Sequence, residues 1–205
     1  MQGYILNIFG VRDEDLIVSV LTPKKLKTLY RFYGARHSSI QIGYKIDLEI
    51  DKTSPSKLPL LRGVHHLGFK WLYDVQKAYL WQHYIKLFYN HLKGIEDLDP
   101  FYYNLLEENT KIWEKQNPKR IIIESYTKLL EAEGRLHKDF KCFACEKEIR
   151  GECVLIRGFL PSCKDCAIGK VFTKWRIEEL FNNKSSLFLN DEEVNALYNI
   201  VCEGF

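Results

Sequence analysis

Four cysteines form two matched pairs in the C-terminal half of the chain. Cys142 and Cys145 make one Cys-x2-Cys pair, Cys163 and Cys166 make the second, and seventeen residues separate the pairs. This spacing is typical of a four-thiolate zinc site, because each pair places two sulfurs on one tight turn. Basic side chains beside the pairs would favour the thiolate form. Four protein ligands complete a tetrahedron, so we predict one structural Zn²⁺ per chain and no catalytic metal.

Two other roles for these cysteines fit the sequence less well. Disulfide bonds would suit an exported protein, but residues 1–10 lack the basic region, apolar core and cleavage site of a leader. A thioredoxin-like redox motif needs one Cys-x2-Cys pair, and this chain has two. Cys153 and Cys202 stand in apolar surroundings, and we expect both to be buried as small hydrophobic side chains.

We place the predicted zinc module at residues 139–170. Helical periodicity precedes it from about residue 71 and follows it to the end of the chain. Apolar residues recur at helical spacing after Gly68, and Gly94 is a stop signal. Asp99-Pro100 and Asn117-Pro118 are typical helix starts, with a capping residue followed by proline at the first helical position. The predicted helices cover residues 71–92, 100–116, 118–132 and 173–182, and a last one begins after Asn190, with Glu193 placed as in a capping box.

Residues 1–68 show the apolar and polar alternation that marks β-strands with one buried face. We predict strands at 4–9, 16–21, 26–33 and 42–50, a loop at 52–60, and a closing strand at 60–67. A meander of short strands in so small a unit predicts a barrel of the OB or SH3 type. The predicted fold class is α+β: an OB-type β barrel at 1–68, then an α-helical domain at 69–205 with the four-cysteine zinc module inserted.

Positive charge is concentrated in the N-terminal part of the chain. Residues 1–80 hold 12 Lys and Arg against 7 Asp and Glu, whereas residues 81–205 hold 18 against 20. Such an asymmetry suggests a polyanionic partner for this part, but charge alone favours the alternative of a merely soluble surface. No run of eighteen apolar residues exists, so we expect no membrane span and a cytoplasmic location.

Residues 24–37 interleave basic and aromatic side chains. On a strand, Lys27 and Arg31 share one face, and Tyr30 and Phe32 share the other. A basic, partly aromatic barrel surface suits single-stranded nucleic acid, because Lys and Arg contact phosphates while rings stack on bases. Alternatively, the two rings belong to the core and the first two lysines form a solvated hairpin tip. The predicted DNA-binding residues are Lys24, Lys25, Lys27, Arg31, Arg36 and His37.

No side chains form a recognisable catalytic set. His65 and His66 are adjacent in sequence, and adjacent residues on a strand point to opposite faces. Asp97 and Asp99 suit a turn and a helix cap, and the sequence has no glycine-rich phosphate-binding loop. We therefore predict a protein without enzymatic activity.

The order of these parts resembles the RecO family of bacterial recombination mediators. The resembling segments are Gly3-Tyr4-Ile5-Leu6, Asp13 to Val18, Val20-Leu21-Thr22, the Gly34-Ala35-Arg36 turn, and Gly43 with the strand after it. The helical remainder and the four cysteines fit as well. The resemblance implies an N-terminal OB fold that binds DNA, a helical domain and, in many members of the family, a zinc module; it implies no enzymatic turnover.

Members of this family bind single- and double-stranded DNA, anneal complementary strands coated by single-strand-binding protein and, with RecR, help to load RecA. The resemblance therefore implies a nucleoid-associated DNA repair protein, with DNA, RecR and the C-terminal tail of single-strand-binding protein as partners. The family often has basic residues on both sides of the Gly-Ala-Arg turn. Tyr33 and His37 stand there in this chain, so Arg36 is carried over most directly. The alternative is a zinc-stabilised protein-interaction adaptor that does not bind DNA directly.

Overall fold

Five strands at the N-terminal end close into a β barrel: β1 (Gln2–Gly10), β2 (Leu16–Leu21), β3 (Leu26–Arg31), β4 (Lys45–Asp51) and β5 (Leu60–His66). In this computed structural model, which describes residues 1–12, 14–51, 58–95 and 97–205, they pair in the order β1-β2-β3-β5-β4. All pairs are antiparallel except β3 with β5, which run parallel where Tyr30 lies beside Leu60. A five-stranded, partly open or closed Greek-key barrel is the OB architecture.

The barrel interior is filled by the apolar side chains that alternate along the strands. Several strand ends differ from the prediction by one to three residues, and two of the differences have a clear cause. β3 ends at Arg31 because Tyr33 adopts a left-handed φ of 50°, and β4 begins at Lys45 because Gly43 has a φ of +87°. Residues 52–57 of the predicted loop lie outside the described ranges. The buried core residues are Ile5, Leu16, Val18, Val20, Leu29, Ile40, Ile46, Leu48 and Leu61.

Two helices, α1 (Val75–Leu92) and α2 (Pro100–Ile112), belong with the barrel to one compact unit, Met1–Glu114. A short 3-10 turn precedes α1, which therefore begins later than predicted, at Val75 with Asp74 as its N-cap. The side chain of Asp99 caps α2 by accepting a hydrogen bond from a backbone N–H, as the sequence predicts. The predicted division into a DNA-binding domain at 1–68 and a helical domain at 69–205 stays a prediction.

Aromatic side chains join α1 to the barrel. The Trp81 ring nitrogen donates a buried hydrogen bond of 2.8 Å to the carbonyl of Gly43. The Trp81 ring also lies 4.9 Å from that of Trp113 and 5.3 Å from that of Trp71, between ring centroids. A side chain at Gly43 would not fit, because its Cβ would lie 2.7 Å from the Trp81 ring. The close approach of this helix therefore requires glycine in the loop before β4.

A polar contact joins α2 to the barrel. Glu107 accepts a 2.7 Å hydrogen bond from the Tyr4 hydroxyl and forms a 2.7 Å ion pair with Lys45. Both charged side chains are mostly buried, at 25% and 15% exposure. Burial alone would raise the pKa of Glu107, but the bonds from Lys45 and Tyr4 outweigh it and lower that pKa.

The second compact unit, Lys115–Phe205, contains three helices and a small sheet. The helices are α3 (Pro118–Ala132), α4 (Lys174–Asn183) and α5 (Asp191–Cys202); the strands are β6 (Glu152–Ile156), β7 (Leu160–Ser162) and β8 (Val171–Thr173). The sheet has the order β7-β6-β8 and stands between α3 and α4 in the chain. Asn190 and Glu193 form the predicted capping box at α5. The predicted α+β class, a barrel followed by helices and a four-cysteine module, is confirmed. No helix in the described ranges is long and apolar enough to cross a membrane.

Candidate nucleic-acid interface and metal centre

The four predicted metal ligands lie together. The sulfurs of Cys142, Cys145, Cys163 and Cys166 are all within 4.8 Å of one another. Four sulfurs at about 2.3 Å from a central Zn²⁺ would be about 3.8 Å apart along the edges of a tetrahedron. The Cys145 and Cys163 sulfurs are 3.8 Å apart, far beyond a disulfide bond of about 2.05 Å. The cluster is therefore compatible with a zinc site.

Backbone hydrogen bonds hold the two turns that carry these sulfurs. The Glu146 N–H donates to the Cys142 carbonyl at 2.8 Å, and the Cys166 N–H donates to the Cys163 carbonyl at 3.0 Å. The Cys163 N–H in turn donates to the Cys142 sulfur at 3.3 Å, which ties the two turns together. Each Cys-x2-Cys pair thus forms a closed loop, and the two loops face one point.

Two of the four thiols, those of Cys142 and Cys166, have pKa values far from the ordinary value of cysteine. The backbone N–H of Cys163 lowers the pKa of Cys142 to about 6, whereas the hydrogen bond with the Cys163 side chain raises the pKa of Cys166 to about 12. Four crowded thiols cannot all lose their protons without a cation, because the thiolates repel one another. Two of the basic side chains near the cysteine pairs form exposed ion pairs with acidic neighbours, Arg150 with Glu148 at 3.2 Å and Lys164 with Glu152 at 3.6 Å.

The two remaining cysteines do not join the cluster. Cys153 is fully buried on β6, and burial raises the pKa of its thiol to about 12, as expected of a small core residue. Cys202 is only half-buried at the end of α5, and partial burial also raises its pKa. Neither lies among the four sulfurs that face one another.

The predicted lysine contacts occupy the hairpin between β2 and β3. Lys24 and Lys25 are exposed in its turn, and Lys27 follows on β3. With Met1, Thr22 and Pro23 they line a groove of about 370 Å³. Lys25 lies 3.8 Å from Asp97, but both side chains are well exposed, so the pair contributes little. Within the described ranges, no carboxylate lies within ion-pairing distance of Lys24 or Lys27.

Arg31 has a different environment. Its guanidinium donates a 3.0 Å hydrogen bond to the carbonyl of Leu61 and lies 3.3 Å from a ring nitrogen of His37. Its Nε atom is buried and has no hydrogen-bond partner in the described part of the chain. Arg31 therefore supports the junction of β3 and β5, and only part of its guanidinium is open to an incoming phosphate.

Arg36 is paired with an acidic residue. Its side chain forms an ion pair with Glu14, in the loop between β1 and β2, and its guanidinium lies 5.2 Å from the centre of the Tyr33 ring. Asp15 of the same loop accepts a 2.7 Å hydrogen bond from the Tyr33 N–H and a 2.5 Å bond from the Tyr30 hydroxyl. These bonds, that from Tyr30 first, lower the pKa of Asp15. The six predicted DNA contacts thus divide into an open lysine hairpin and a turn whose charge is partly neutralised.

The barrel is the part of the chain that matches a known protein family. The family model described as RecO N terminal matches residues 1–72, which include all five barrel strands. The chain carries a RecO N-terminal domain. This match confirms the RecO resemblance over residues 1–72 and supports a RecO-type role in DNA repair and recombination. Proteins of this family are recombination mediators and are not known as catalytic enzymes. No curated protein matches the chain.

Sequence reasoning did not predict the acidic partners of this RecO N-terminal domain. It treated residues 13–15 as a turn, and Asp13 lies outside the described ranges. The acidic turn between β1 and β2 approaches the segment after β3 because β2 and β3 are antiparallel neighbours in the barrel. The alternative that Tyr30 and Phe32 are core residues is wrong for Phe32, which is 48% exposed. Tyr30 is half-buried with its ring 5.0 Å from that of Phe32.

Proposed function

We propose that this protein is a DNA repair and recombination mediator that binds single- and double-stranded DNA through its RecO N-terminal domain. The observation that carries the proposal is the family match over residues 1–72, which coincides with a closed OB-type barrel. Annealing of complementary strands coated by single-strand-binding protein, and loading of RecA with RecR, are the further steps of this proposal. The lysines of the hairpin between β2 and β3 provide the positive charge that DNA binding, the first step, requires.

Phosphate capture by the lysine hairpin explains how strands would be held. Lys24, Lys25 and Lys27 line one groove, and the single ion pair among them in the described part of the chain, that of Lys25 with Asp97, is well exposed. Each phosphate contact releases counterions, so the logarithm of the affinity should fall with the logarithm of the salt concentration by about 0.7 per contact on a single strand. Two strands held close to such a surface repel each other less, which favours their annealing.

We further propose that Cys142, Cys145, Cys163 and Cys166 hold one structural Zn²⁺. Bound zinc would accept all four thiolates and leave no open position for a substrate. Apparent binding free energies of about 10–16 kcal/mol in small zinc modules contribute directly to folding. The turns between α3 and β6 have little regular structure, so the metal would fix the geometry of this part of the second unit.

A cavity in the second unit is our candidate for the site that binds the C-terminal tail of single-strand-binding protein. It has a volume of about 430 Å³ and is lined by the basic residues Arg135, His137 and Arg157 together with Ile156, Leu160 and Phe205. An acidic peptide matches the positive charge of this cavity. We propose it for the C-terminal tail of single-strand-binding protein; an Arg157→Glu variant should lose binding of a labelled tail peptide but keep DNA binding.

The decisive test replaces the hairpin lysines. Changing Lys24, Lys25 and Lys27 to Glu should reduce oligonucleotide affinity at least tenfold and flatten its salt dependence, with strand annealing in the presence of single-strand-binding protein lost in parallel. The matched control changes three exposed lysines on or next to the helices of the same unit, Lys86, Lys93 and Lys111, to Glu. Circular dichroism checks the fold of both. Equal DNA binding by the two variants would favour the adaptor alternative.

A further inference from the structure

A second pocket of the barrel unit differs in chemistry from the lysine groove. It lies where β5 ends and the 3-10 turn Lys70–Tyr73 begins, and has a volume of about 480 Å³. It shares no lining residue with the groove at the hairpin. The lining residues are Tyr44, His66, Gly68, Phe69, Lys70, Leu72 and Tyr73. Its size falls in the range of small-ligand sites, roughly 300–1,000 Å³.

Aromatic rings dominate this pocket, and several are already arranged in parallel. The rings of Tyr44 and His66 are stacked, with centroids 3.8 Å apart and planes 13° apart. Phe69 stacks on Trp71 at 5.0 Å with planes 6° apart. Tyr73 is 93% exposed, and no ring or hydrogen-bonding partner is seen for it in the described ranges. A flat, ring-lined pocket with one unsupported tyrosine is suited to a flat aromatic ligand.

The charges around the pocket favour an anionic group on that ligand. Lys70 is exposed, and within the described part of the chain its ammonium has no carboxylate at ion-pairing distance. The neighbouring acid, Asp74, is occupied as the cap of α1, because it accepts hydrogen bonds from the Gln76 and Lys77 N–H groups. Partial burial lowers the pKa of His66, which keeps this imidazole neutral and able to stack near neutral pH.

We propose that this pocket is a base-stacking site for single-stranded nucleic acid, in which an unstacked base packs against the rings of His66 and Tyr73 while Lys70 contacts an adjacent phosphate. The inference rests on the proposed function, because it presumes that the unit binds nucleic acid. It adds a contact of another kind, since bases in a duplex are paired and cannot enter. The pocket would therefore give the protein a preference for single strands, which the phosphate contacts alone do not provide.

The test compares two exposed tyrosines of the same unit. Tyr73→Ala removes a ring of the pocket, and Tyr79→Ala removes a 69% exposed ring outside it. Fluorescence anisotropy measures binding of each variant to an oligothymidine strand and to a duplex at several salt concentrations. We expect Tyr73→Ala to weaken single-strand binding by about 5- to 150-fold, the range that corresponds to the loss of ~1–3 kcal/mol of stacking per base. Its salt slope should stay unchanged, because no phosphate contact is lost.

An abasic strand separates the possible outcomes. It should bind wild-type protein as weakly as Tyr73→Ala binds the normal strand, and the variant should lose little more, because both changes remove the same stack. If wild-type protein binds strands but Tyr73→Ala matches Tyr79→Ala, the pocket is not a base site and the proposed function stands. If wild-type protein binds no DNA under any condition, the proposed function fails and the pocket assignment fails with it.

Discussion

Replacing the carboxylate of Glu14 tests most directly whether Arg36 can contact DNA. The side chain pairs with Arg36, the residue that the family resemblance carries over best. A phosphate that approaches Arg36 must open this pair and meet the repulsion of the carboxylate. In Glu14→Gln the side chain keeps its size, but both obstacles disappear. We therefore expect a gain of DNA affinity from the removal of an acidic residue, without any new basic group.

The size of this gain follows from exposure and distance. Arg36 and Glu14 side chains are 65% and 41% exposed, so opening their pair costs at most about 1 kcal/mol. A carboxylate about 7 Å from a phosphate in water adds roughly 0.6 kcal/mol of repulsion before salt screening. We expect a net improvement of about 1 kcal/mol, or about fivefold in affinity. One additional phosphate contact should steepen the salt slope by about 0.7.

Anisotropy titrations with a labelled oligonucleotide at 50–300 mM salt, about the range in which counterion release is readily measured, provide the assay. Glu178→Gln is the matched control, because Glu178 is 40% exposed, pairs with Lys174 at 3.4 Å and belongs to the second unit. It changes the net charge by the same amount. If Glu14→Gln binds no more tightly than Glu178→Gln, Arg36 does not contact DNA and the reasoning is refuted.

Three further outcomes are expected. The Cys163→Ser variant should contain no zinc by metal analysis, and its second unit should unfold at a lower temperature. A strong chelator added to wild-type protein should lower the unfolding temperature in the same way. The control Cys202→Ser should keep one zinc per chain. Glu107→Gln leaves the buried Lys45 without its charge partner and should cost about 1.5–3 kcal/mol in urea unfolding at pH 7. Because the folded pKa of Glu107 is lowered, its contribution is complete above its unfolded pKa of about 4.5 and is lost as pH falls further, so the two proteins should converge in acid. Gly43→Ala combines a positive φ with a clash against the Trp81 ring and should destabilise the barrel unit by about 2–4 kcal/mol in the same assay.

Features set by neighbouring residues were predictable from the sequence. The capping groups of α2, α3 and α5 act within one helical turn, so their residue types alone indicate the helix starts. The four-cysteine cluster was predictable for the same reason, since each pair lies on its own turn and the separation is typical of zinc modules. Strand alternation likewise indicated the barrel, because a one-sided core requires period two.

Features set by residues distant in sequence were not predictable. The ion pair of Arg36 depends on the barrel bringing the β1–β2 loop beside the turn after β3. The late start of β4 depends on Trp81, which lies far along the chain and requires glycine at position 43. Helical periodicity from residue 71 onward did not reveal the 3-10 turn before α1, because a buried Trp71 fits either geometry.

The hydrogen bond between Trp81 and the Gly43 carbonyl has a practical consequence for truncation of this protein. A fragment that stops after the fifth strand would lose Trp81 and Trp113 and would leave the Tyr4 ring, which is fully buried, facing water. Such a piece is expected to aggregate or misfold, even though all five strands are present. A fragment designed to fold as an independent barrel should therefore extend to Glu114, where the first compact unit ends.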